Sequence, residues 1–429
     1  MEASYEKRII NQEPKNKGYY PLRPMQSWLV DTHFYKAKST MMNIGTFYKF
    51  PPGVDLERLI GAINGTLENN DIFHCHFVFH PETCDLCQRF DGEINPVIFE
   101  KISDKEFEER KKFLKHPYKL INQPLYRIYV FETPTAQYLY LDFYHAIMDG
   151  MSISLLFGTE SKLRYKGREI KHKPLNYADY ILEEINNPPE NLIEGKNFFA
   201  EMLKDFDEKK HLPPPSAPAN ARPFELKYFS IKIDNINKNF FNQKICDENI
   251  FFLAASMLTI AKTSGANSSV MSWLHSGRYT ASESRIMGNM IEQFPVAWNF
   301  EKDLTVAEFF KGLEKKINDS FKYRRSLGEI YKSGLQDDCA TFIFQKKIYS
   351  ASIEGKEFET VELPQNEWSA AENSLDIEIN LSFDEIYSLF LEYDASRYSE
   401  TAMKNFSDTF EKTVAKLQDS KLLISEILK

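Results

Sequence analysis

The sequence predicts a mixed α/β or α+β protein made of two lobes of similar size. Two observations lead to this prediction: patterns typical of strands and of helices alternate along the whole chain, and a proline-rich stretch divides it near the middle. Composition agrees, since 42% of the 429 residues are hydrophobic and 14% are aromatic. Such a chain can bury large apolar cores, which excludes a disordered protein.

The first half alternates strand and helix patterns. Strands are assigned where apolar residues recur every second position, and helices where they recur at spacings of three and four. A Ser followed three residues later by Glu is a capping box, which marks where a helix begins. In chain order the predicted elements are strand Met42–Phe50, helix Leu56–Glu68, strand Phe73–Phe79, a helix begun by Ser103 and Glu106 and ended before Pro117, and buried strands Leu125–Glu132 and Gln137–Tyr144.

The middle of the chain lacks both periodicities. Asn186–Glu190 (NNPPE) is a turn signal, and His211–Pro223 holds five of the 20 prolines. Proline fixes φ and removes a hydrogen-bond donor, so this stretch is expected to be extended and outside the cores. We therefore predict an N-terminal lobe over residues 1–188, an inter-lobe linker over 189–223 and a C-terminal lobe over 224–429.

The second half repeats the mixture of strands and helices. Gly265 is expected just past the end of a long apolar helix, and Thr305 with Glu308 forms a second capping box. The predicted elements are strand Leu226–Ile233, helix Lys238–Ser264, strand Ser269–Leu274, helix Thr305–Arg325, strands Thr341–Lys346, Leu375–Phe383 and Tyr387–Tyr393, and helix Thr401–Leu417.

Charge and cysteine content exclude several classes of protein. The chain carries 53 basic and 62 acidic residues, a net charge of −9, without a sustained basic run, which disfavours nucleic acid and anionic membranes as partners. Five cysteines do not suit a secreted disulfide framework. The polar N-terminus has no signal-peptide pattern, and the most apolar window, Ile250–Ala261, is shorter than the roughly 20 residues that span a bilayer. We expect a soluble, cytoplasmic protein.

The stretch Tyr138–Leu156 (YLYLDFYHAIMDGMSISLL) is the most informative about chemistry. A buried strand ends at Tyr144, His145 follows, and Asp149 and Gly150 precede a helical pattern. A purely structural interpretation is available, with Asp149 as a helix N-cap, Gly150 in a tight turn and His145 as a satisfied core histidine. Taken alone, the motif leaves this interpretation and a catalytic one open.

The catalytic interpretation is acyl transfer by direct attack. A neutral imidazole at His145 can take a proton from an incoming amine, alcohol or thiol, and Asp149 can fix the loop or pair with a cation that holds it. The Gly150 N–H can donate to a developing oxyanion. Because Gly150–Ser154 lacks the second glycine of a GxSxG elbow, Ser152 is disfavoured as a nucleophile and is given a supporting role, as is Tyr144.

The chain resembles the condensation domains of non-ribosomal peptide synthetases, which belong to the wider chloramphenicol-acetyltransferase-like acyltransferases. His145–Gly150 is similar to their HHxxxDG motif, and further fragments follow in the family's order over some 400 residues. These are Pro21–Gln26 (PLxPxQ), Pro117–Arg127 (F-D-L…P-L-x-R), Tyr177–Tyr180 (Y-x-D-Y), Gly277–Arg278 (G-R), Asn289–Pro295 (G-x-x-x-N-x-x-P, loosely) and Leu389–Asp394 (L-x-L-x-Y-D).

The resemblance implies two chloramphenicol-acetyltransferase-like lobes in a V, each a mixed sheet with flanking helices, with His145 in a tunnel between them. It implies that His145 deprotonates or positions the acceptor, that Asp149 is structural and paired with Arg278, and that Gly150 supplies an oxyanion N–H. The chain departs from the family in having Tyr144 for the first motif His, a change we expect to be tolerated. Phe73–Phe77 also lacks the arginines of the family's L-R-T-R-F strand.

The activity implied is transfer of an acyl group from a carrier-protein thioester to a small amine or hydroxyl acceptor. The donor would be carried on 4'-phosphopantetheine or on coenzyme A, with no permanently bound cofactor or metal. Because no adenylation or carrier segment is evident, we expect those partners to be separate proteins. The alternatives are an acyltransferase that uses acyl-CoA, and an inactive domain of the same fold that binds or recruits carrier proteins.

A second cluster could bind metal. Three histidines and two cysteines lie within fourteen residues, and the cysteines have C-x₂-C spacing, as in zinc sites. The alternative is a strand with exposed histidines that leads into a loop, and we favour it because a second C-x₂-C pair is missing. The five residues are His74, His76, His80, Cys84 and Cys87.

Overall fold

The computed structural model describes residues 18–429 except 37, 51, 171–175, 205, 207–210, 218–222, 238, 302, 332–338, 347–351 and 355. The chain divides into two compact units. Unit 1 comprises Met1–Pro188, Ser276–Ile291 and Ile348–Ser369, and unit 2 comprises Pro189–His275, Glu292–Lys347 and Ala370–Lys429.

Helices and strands alternate through both units, as the sequence predicts. The helices are α1 Pro24–Tyr35, α2 Leu56–Glu68, α3 Asp104–Lys111, α4 Gly150–Ile153, α5 Lys162–Tyr165, α6 Tyr177–Asn186, α7 Leu192–Leu203, α8 Asn239–Asn242, α9 Glu248–Ser264, α10 Val306–Lys322, α11 Leu327–Tyr331, α12 Glu400–Leu417 and α13 Ile424–Leu428. The strands are β1 Tyr20–Pro21, β2 Asn43–Phe50, β3 His76–Phe79, β4 Leu86–Arg89, β5 Ile98–Lys101, β6 Tyr126–Glu132, β7 Gln137–Tyr144, β8 Leu226–Ile233, β9 Ser268–His275, β10 Glu292–Asn299, β11 Ala340–Lys346, β12 Ser352–Ile353, β13 Lys356–Glu357, β14 Glu359–Thr360, β15 Leu375–Leu381 and β16 Tyr387–Asp394.

Unit 1 is built on a five-stranded sheet in the order β14-β2-β7-β6-β5. β7 lies in the middle, antiparallel to β2 and β6, and every one of its residues is buried. An aromatic cluster packs around Phe47, Phe107 and Tyr138, and the rings of Phe107 and Tyr138 stack with centroids 4.0 Å apart. The strand that leads into the motif is therefore the most enclosed strand of its sheet.

The predicted capping signals begin and end helices as expected. The Ser103 hydroxyl accepts a hydrogen bond from the Glu106 N–H while the Glu106 carboxylate accepts one from the Ser103 N–H, and Thr305 and Glu308 do the same at the start of α10. Gly265 follows α9 with φ +68°, a left-handed backbone that ends the helix. These local signals act over three or four residues, which is why the sequence alone locates them.

Unit 2 is built on a six-stranded sheet in the order β10-β9-β11-β15-β16-β8. β11 runs parallel to both its neighbours, and the other pairs are antiparallel. α9, which is almost entirely apolar from Ile250 to Ala261, is buried over that whole length. The window that is the most apolar in the sequence is thus a core helix. Within the described residues, no helix is both long and apolar enough to cross a bilayer.

Two predicted elements differ in extent. The predicted strand Phe73–Phe79 begins only at His76, because Asp71–His74 forms a 3₁₀ turn in which the Asp71 carboxylate accepts hydrogen bonds from two α6 amides. The predicted helix Lys238–Ser264 is interrupted before α9, because Asp247 caps α9 by accepting from the Ile250 N–H at 2.8 Å. Several elements were not predicted, among them α1, α6, α7, β10 and α13.

The domain boundaries also differ from those predicted. The region expected to be a linker, 189–223, contains α7, whose Phe199 and Met202 are buried at helical spacing. The region expected to be one continuous lobe, 224–429, contributes two segments to unit 1. One of them pairs β14 with the edge of β2, and the other contacts the motif loop. Both segments join unit 1 through contacts between residues far apart in the chain. Local hydrophobic periodicity does not predict such contacts.

Candidate functional site

His145 lies directly after β7, at the start of the loop that leads to α4. Its backbone N–H donates to the Met42 carbonyl at 2.8 Å, and the preceding Tyr144 N–H donates to the Leu125 carbonyl at 2.8 Å. The loop then turns within five residues into α4, which begins at Gly150. The backbone of His145 is thus tied to the chain next to β2, and the side chain starts from a fixed point.

The imidazole of His145 has a defined tautomer. Its Nδ1 lies 2.9 Å from the Met148 carbonyl oxygen, which can only accept, so Nδ1 carries the proton in the neutral ring. Nε2 therefore holds the lone pair, and the described residues offer it no hydrogen-bond partner. Burial lowers the pKa of His145 below its usual 6.5, although the Met148 carbonyl and Asp149 act in the opposite direction. At neutral pH the ring is uncharged, with a basic nitrogen available.

Asp149 forms a buried ion pair with Arg278. Arg278 Nη1 and Nη2 lie 2.8 and 3.1 Å from the two carboxylate oxygens, and both side chains are at least 97% buried. The N–H groups of Ser152 and Met290 donate to the same carboxylate at 2.8 and 2.9 Å. Burial alone would raise the pKa of Asp149, but the charge and hydrogen bonds of Arg278, with both amides, lower it below its usual value.

Ser152 joins the same network. Its hydroxyl donates to the Gly288 carbonyl at 2.8 Å and accepts from the Gly288 N–H and from Arg278 Nη2, both at 2.9 Å. With its proton committed and its oxygen enclosed, Ser152 does not offer a nucleophile. The supporting role of Ser152 stays a prediction.

Two glycines shape the segment that carries Arg278. Gly277 has φ +66°, in the left-handed region, immediately before Arg278. At Gly288, a Cβ atom would lie 2.3 Å from the ring of Tyr177, so only glycine permits this approach. The G-R pair noted in the sequence is thus a bend followed by the arginine that reaches Asp149.

Tyr144 and Gly150 lie on either side of the loop that carries His145. The Tyr144 hydroxyl donates to the Leu29 carbonyl of α1 at 3.1 Å, and its ring is fully buried against His33, with centroids 5.4 Å apart. Gly150 is the first residue of α4, so its amide is among those at the helix N-terminus. The structure brings together His145, Asp149, Gly150, Ser152 and Arg278, and sets Tyr144 behind them.

Sequence analysis missed two side chains that hold the loop. Gln26 Nε2 donates to the Ala146 carbonyl at 2.8 Å, and Asn289 Nδ2 donates to the His145 carbonyl at 2.8 Å. Both residues lie in fragments already noted for their family resemblance. The sequence feature that could have identified each of them is a polar amide among apolar neighbours. The carbonyl that each amide contacts lies more than 100 residues away along the chain.

The histidine and cysteine cluster has other contacts. His74 Nδ1 lies 2.7 Å from the Gly92 carbonyl, His80 Nδ1 accepts from the Glu82 and Thr83 amides, and Cys84 is exposed while Cys87 is buried. In the part of the chain that the structure describes, no three His, Cys, Asp or Glu side chains are arranged to hold a metal ion. His76 lies in β3 and Cys87 lies in β4, while His74, His80 and Cys84 lie outside these two strands.

The family model described as "Condensation domain" matches residues 16–424. Among curated proteins, tyrocidine synthase 3 of Brevibacillus parabrevis is 22% identical over 281 residues, which are 64% of this chain and 4% of that protein. Tyrocidine synthase 2 of the same organism is 20% identical over 325 residues, 73% of this chain and 9% of that protein. The chain spans less than a tenth of the length of these two relatives.

Solved structures share the fold. The condensation domain from monacolin K polyketide synthase MokA superposes with a TM-score of 0.79 at 15% identity, covering 95% of this chain and 99% of that chain. The epimerization domain of the third module of tyrocidine synthetase B gives 0.75 at 17% identity, with 96% and 98% covered. A starter condensation domain of rhizomide synthetase, solved with C8-CoA, gives 0.76 at 13% identity, with 95% and 96% covered.

Proposed function

The chain belongs to the condensation-domain family, and from that premise we propose that it transfers an acyl group from a carrier-protein thioester to an amine or hydroxyl acceptor. The family catalyses acyl transfer in general. The observation that carries the proposal for this chain is His145, whose tautomer leaves Nε2 unprotonated and whose lowered pKa keeps the ring neutral at pH 7. A neutral imidazole with an available lone pair is what the deprotonation of a nucleophile requires.

The proposed reaction has one bond-forming and one bond-breaking event at the thioester carbonyl. The acceptor N–H or O–H gives its proton to His145 Nε2 as its nitrogen or oxygen forms the new bond to the carbonyl carbon. The carbon–sulfur bond then breaks, and the protonated imidazole returns the proton to the departing thiolate. The Gly150 N–H at the helix N-terminus is proposed to stabilise the negative charge that develops on the carbonyl oxygen.

Asp149 and Arg278 are proposed to act on structure. Both carboxylate oxygens of Asp149 accept two hydrogen bonds each, so Asp149 has little capacity left to take part in proton transfer. A bidentate pair of this kind fixes geometry, and here it fixes the N-terminus of α4 against the 276–291 segment of unit 1. Gly150 and His145 keep their relative positions as a result.

The donor is proposed to be carried on 4'-phosphopantetheine, and two alternatives are kept because relatives of the same fold illustrate them. The rhizomide synthetase domain was solved with C8-CoA, so a soluble CoA thioester is a second candidate donor. An X-domain of the same fold was solved in complex with OxyB from teicoplanin biosynthesis, with a TM-score of 0.77 at 13% identity. Recruitment of a protein partner without catalysis is therefore the candidate from another class.

Intact-mass analysis of acyl-loaded carrier protein tests the proposal, with candidate acceptors and with or without the enzyme. We expect loss of the acyl mass from the carrier and its gain by the acceptor, both abolished in His145→Ala. His76→Ala, a partly exposed histidine of the same unit, is the matched control and should retain activity. Transfer from acyl-CoA alone would favour the second donor. Carrier binding without any transfer would favour recruitment, and full activity of His145→Ala would contradict the mechanism.

A further inference from the structure

Asn289 is a fully buried amide that contacts the backbone of His145 directly. Its Nδ2 donates to the His145 carbonyl at 2.8 Å, and its side chain has no exposed surface. The next residue, Met290, donates its backbone N–H to Asp149. Two consecutive residues of the 276–291 segment therefore hold the two ends of the motif loop.

Asn289 is itself held from the opposite side. Its backbone carbonyl accepts from the Tyr177 hydroxyl at 2.7 Å and from Arg23 Nη1 at 3.0 Å. Arg23 is buried and pairs with Glu184 through Nε at 2.7 Å. These contacts join α1, α6 and the motif loop through Asn289, so the amide has little freedom to turn away from His145.

The orientation of the Asn289 amide leaves its oxygen, Oδ1, without a hydrogen bond from the described residues. Because the His145 carbonyl can only accept, the NH₂ group must face it, and Oδ1 lies on the other side. Oδ1 is buried, and the described residues give it no hydrogen-bond partner. A buried acceptor without a partner destabilises the folded state, and a leucine of similar size would remove that atom. The presence of the amide is therefore better explained by its contact with His145 than by stability.

Three contacts together fix the imidazole. The Met42 carbonyl holds the His145 N–H, Asn289 holds the His145 carbonyl, and the Met148 carbonyl holds Nδ1. Rotation of the 145–146 peptide would move the ring away from Met148 and would release the tautomer. We propose that Asn289 is a positioning residue that keeps His145 in the Nδ1-protonated tautomer with Nε2 free. The catalytic consequence of this proposal rests on the proposed function, whereas its structural consequence does not.

Nitrogen NMR of ¹⁵N-histidine-labelled protein tests the structural consequence without any substrate. The His145 signals are assigned by their loss in His145→Gln. In the unaltered protein we expect a single neutral tautomer, protonated at Nδ1, that titrates below pH 6.5. In Asn289→Leu we expect a mixture of tautomers and a pKa further below 6.5, because burial persists while the Met148 contact that raises the pKa is weakened. His145 signals that superimpose on those of the unaltered protein would overturn the proposal.

Two further variants keep the test decisive. Asn289→Asp preserves shape but replaces the amide donor by a carboxylate, so it should reproduce the mixture of tautomers even if Asn289→Leu folds poorly. Gln293→Leu is the matched control, because Gln293 is also a buried amide with an unpartnered carbonyl oxygen, and its backbone N–H donates to Tyr331 and not to the motif loop. It should leave the His145 signals unchanged, and a change equal to that of Asn289→Leu would contradict the proposal.

Kinetics add the catalytic readout once a donor and an acceptor are known. For Asn289→Leu we expect kcat to fall about 10- to 100-fold with KM little changed, the effect of misplacing a catalytic group by roughly 1 Å. The melting temperature should change little, because Asn289→Leu removes the unpartnered Oδ1 and the Nδ2 donor of the His145 carbonyl together. The NMR spectra could change as expected while neither the variants nor the unaltered protein transfers acyl groups. In that case the positioning role stands and the proposed function fails.

Discussion

At the residue scale, the chemistry of the site is decided by what surrounds one imidazole. A neutral histidine can carry its proton on either ring nitrogen, and the Met148 carbonyl three residues away selects the Nδ1-protonated tautomer of His145. Burial selects its charge state by lowering its pKa. Both effects come from the tight loop between β7 and α4, so the motif sequence acts through its conformation as much as through its residue types.

The lowered pKa predicts the pH dependence of transfer. The neutral ring is the active form if His145 is a base, so kcat/KM should be level from pH 7 upward and should fall on acidification, with its inflection below pH 6.5. The measurement is a pH–rate profile from about pH 5 to 8.5, with the stability of the enzyme verified at each pH. A rate that instead declines as the pH rises from 6 to 8 would indicate that the charged imidazolium acts as a positioner.

The residue types at the site could be read from the sequence, whereas their partners could not. The resemblance identified His145, Asp149 and Gly150 because they lie within six residues of one another. The ion pair expected from the resemblance between Asp149 and Arg278, 129 residues apart, is present at 2.8 Å. Gln26 and Asn289 were missed because both donate to backbone carbonyls. Every residue has such a carbonyl, so the sequence does not indicate which one a side-chain amide contacts.

At the element scale, caps and strands followed their local signals. α2 spans the predicted residues, and the capping boxes of α3 and α10 lie at the predicted positions. α4 is different, since it is only four residues long and continues as a π-helix over Ser154–Ser161. So short a helix gains little from its own hydrogen bonds, and its start depends on the contacts of Asp149.

The role of Asp149 as both cap and ion-pair partner predicts a large effect of Asp149→Asn. Asparagine keeps the capping acceptor but leaves the buried guanidinium of Arg278 without its counter-charge, which should cost about 3–5 kcal/mol of unfolding free energy. Urea denaturation measures this. Asp247→Asn is the matched control: Asp247 also caps a helix, and none of the described residues forms an ion pair with it, so the change should be under about 0.5 kcal/mol. Equal effects would contradict the ion-pair account.

At the scale of the whole molecule, the two units are not two consecutive halves of the chain. The 276–291 segment brings Arg278, Gly288 and Asn289 to the motif, and the 348–369 segment adds β14 beside β2. The Trp368 carbonyl also accepts from the Thr40 N–H at 2.8 Å. Unit 1 therefore needs residues from far beyond the predicted lobe boundary at 188.

This organisation predicts how a truncated chain behaves. Residues 1–188 expressed alone retain His145 but lose Arg278 and Asn289, which leaves the buried Asp149 carboxylate without its cation. We expect a fragment without native near-UV circular dichroism and without a cooperative urea transition. The control is the full chain cleaved by an engineered protease site within 218–222, which keeps all segments and should retain both signals. A fragment that unfolds cooperatively would show that unit 1 is complete without the two segments.

The sequence by itself determined the class of fold, the core strands and helices with strong periodicity or caps, the motif and the family, because each depends on short-range periodicity or on residue order. Tertiary structure alone decided which residues complete unit 1, which tautomer His145 adopts and why Ser152 and Asn289 are polar. The first and the last of these depend on contacts between groups more than 100 residues apart, and the tautomer depends on the conformation of the loop that brings the Met148 carbonyl to Nδ1. A local pattern carries neither the partner of a hydrogen bond nor the loss of solvent that shifts a pKa.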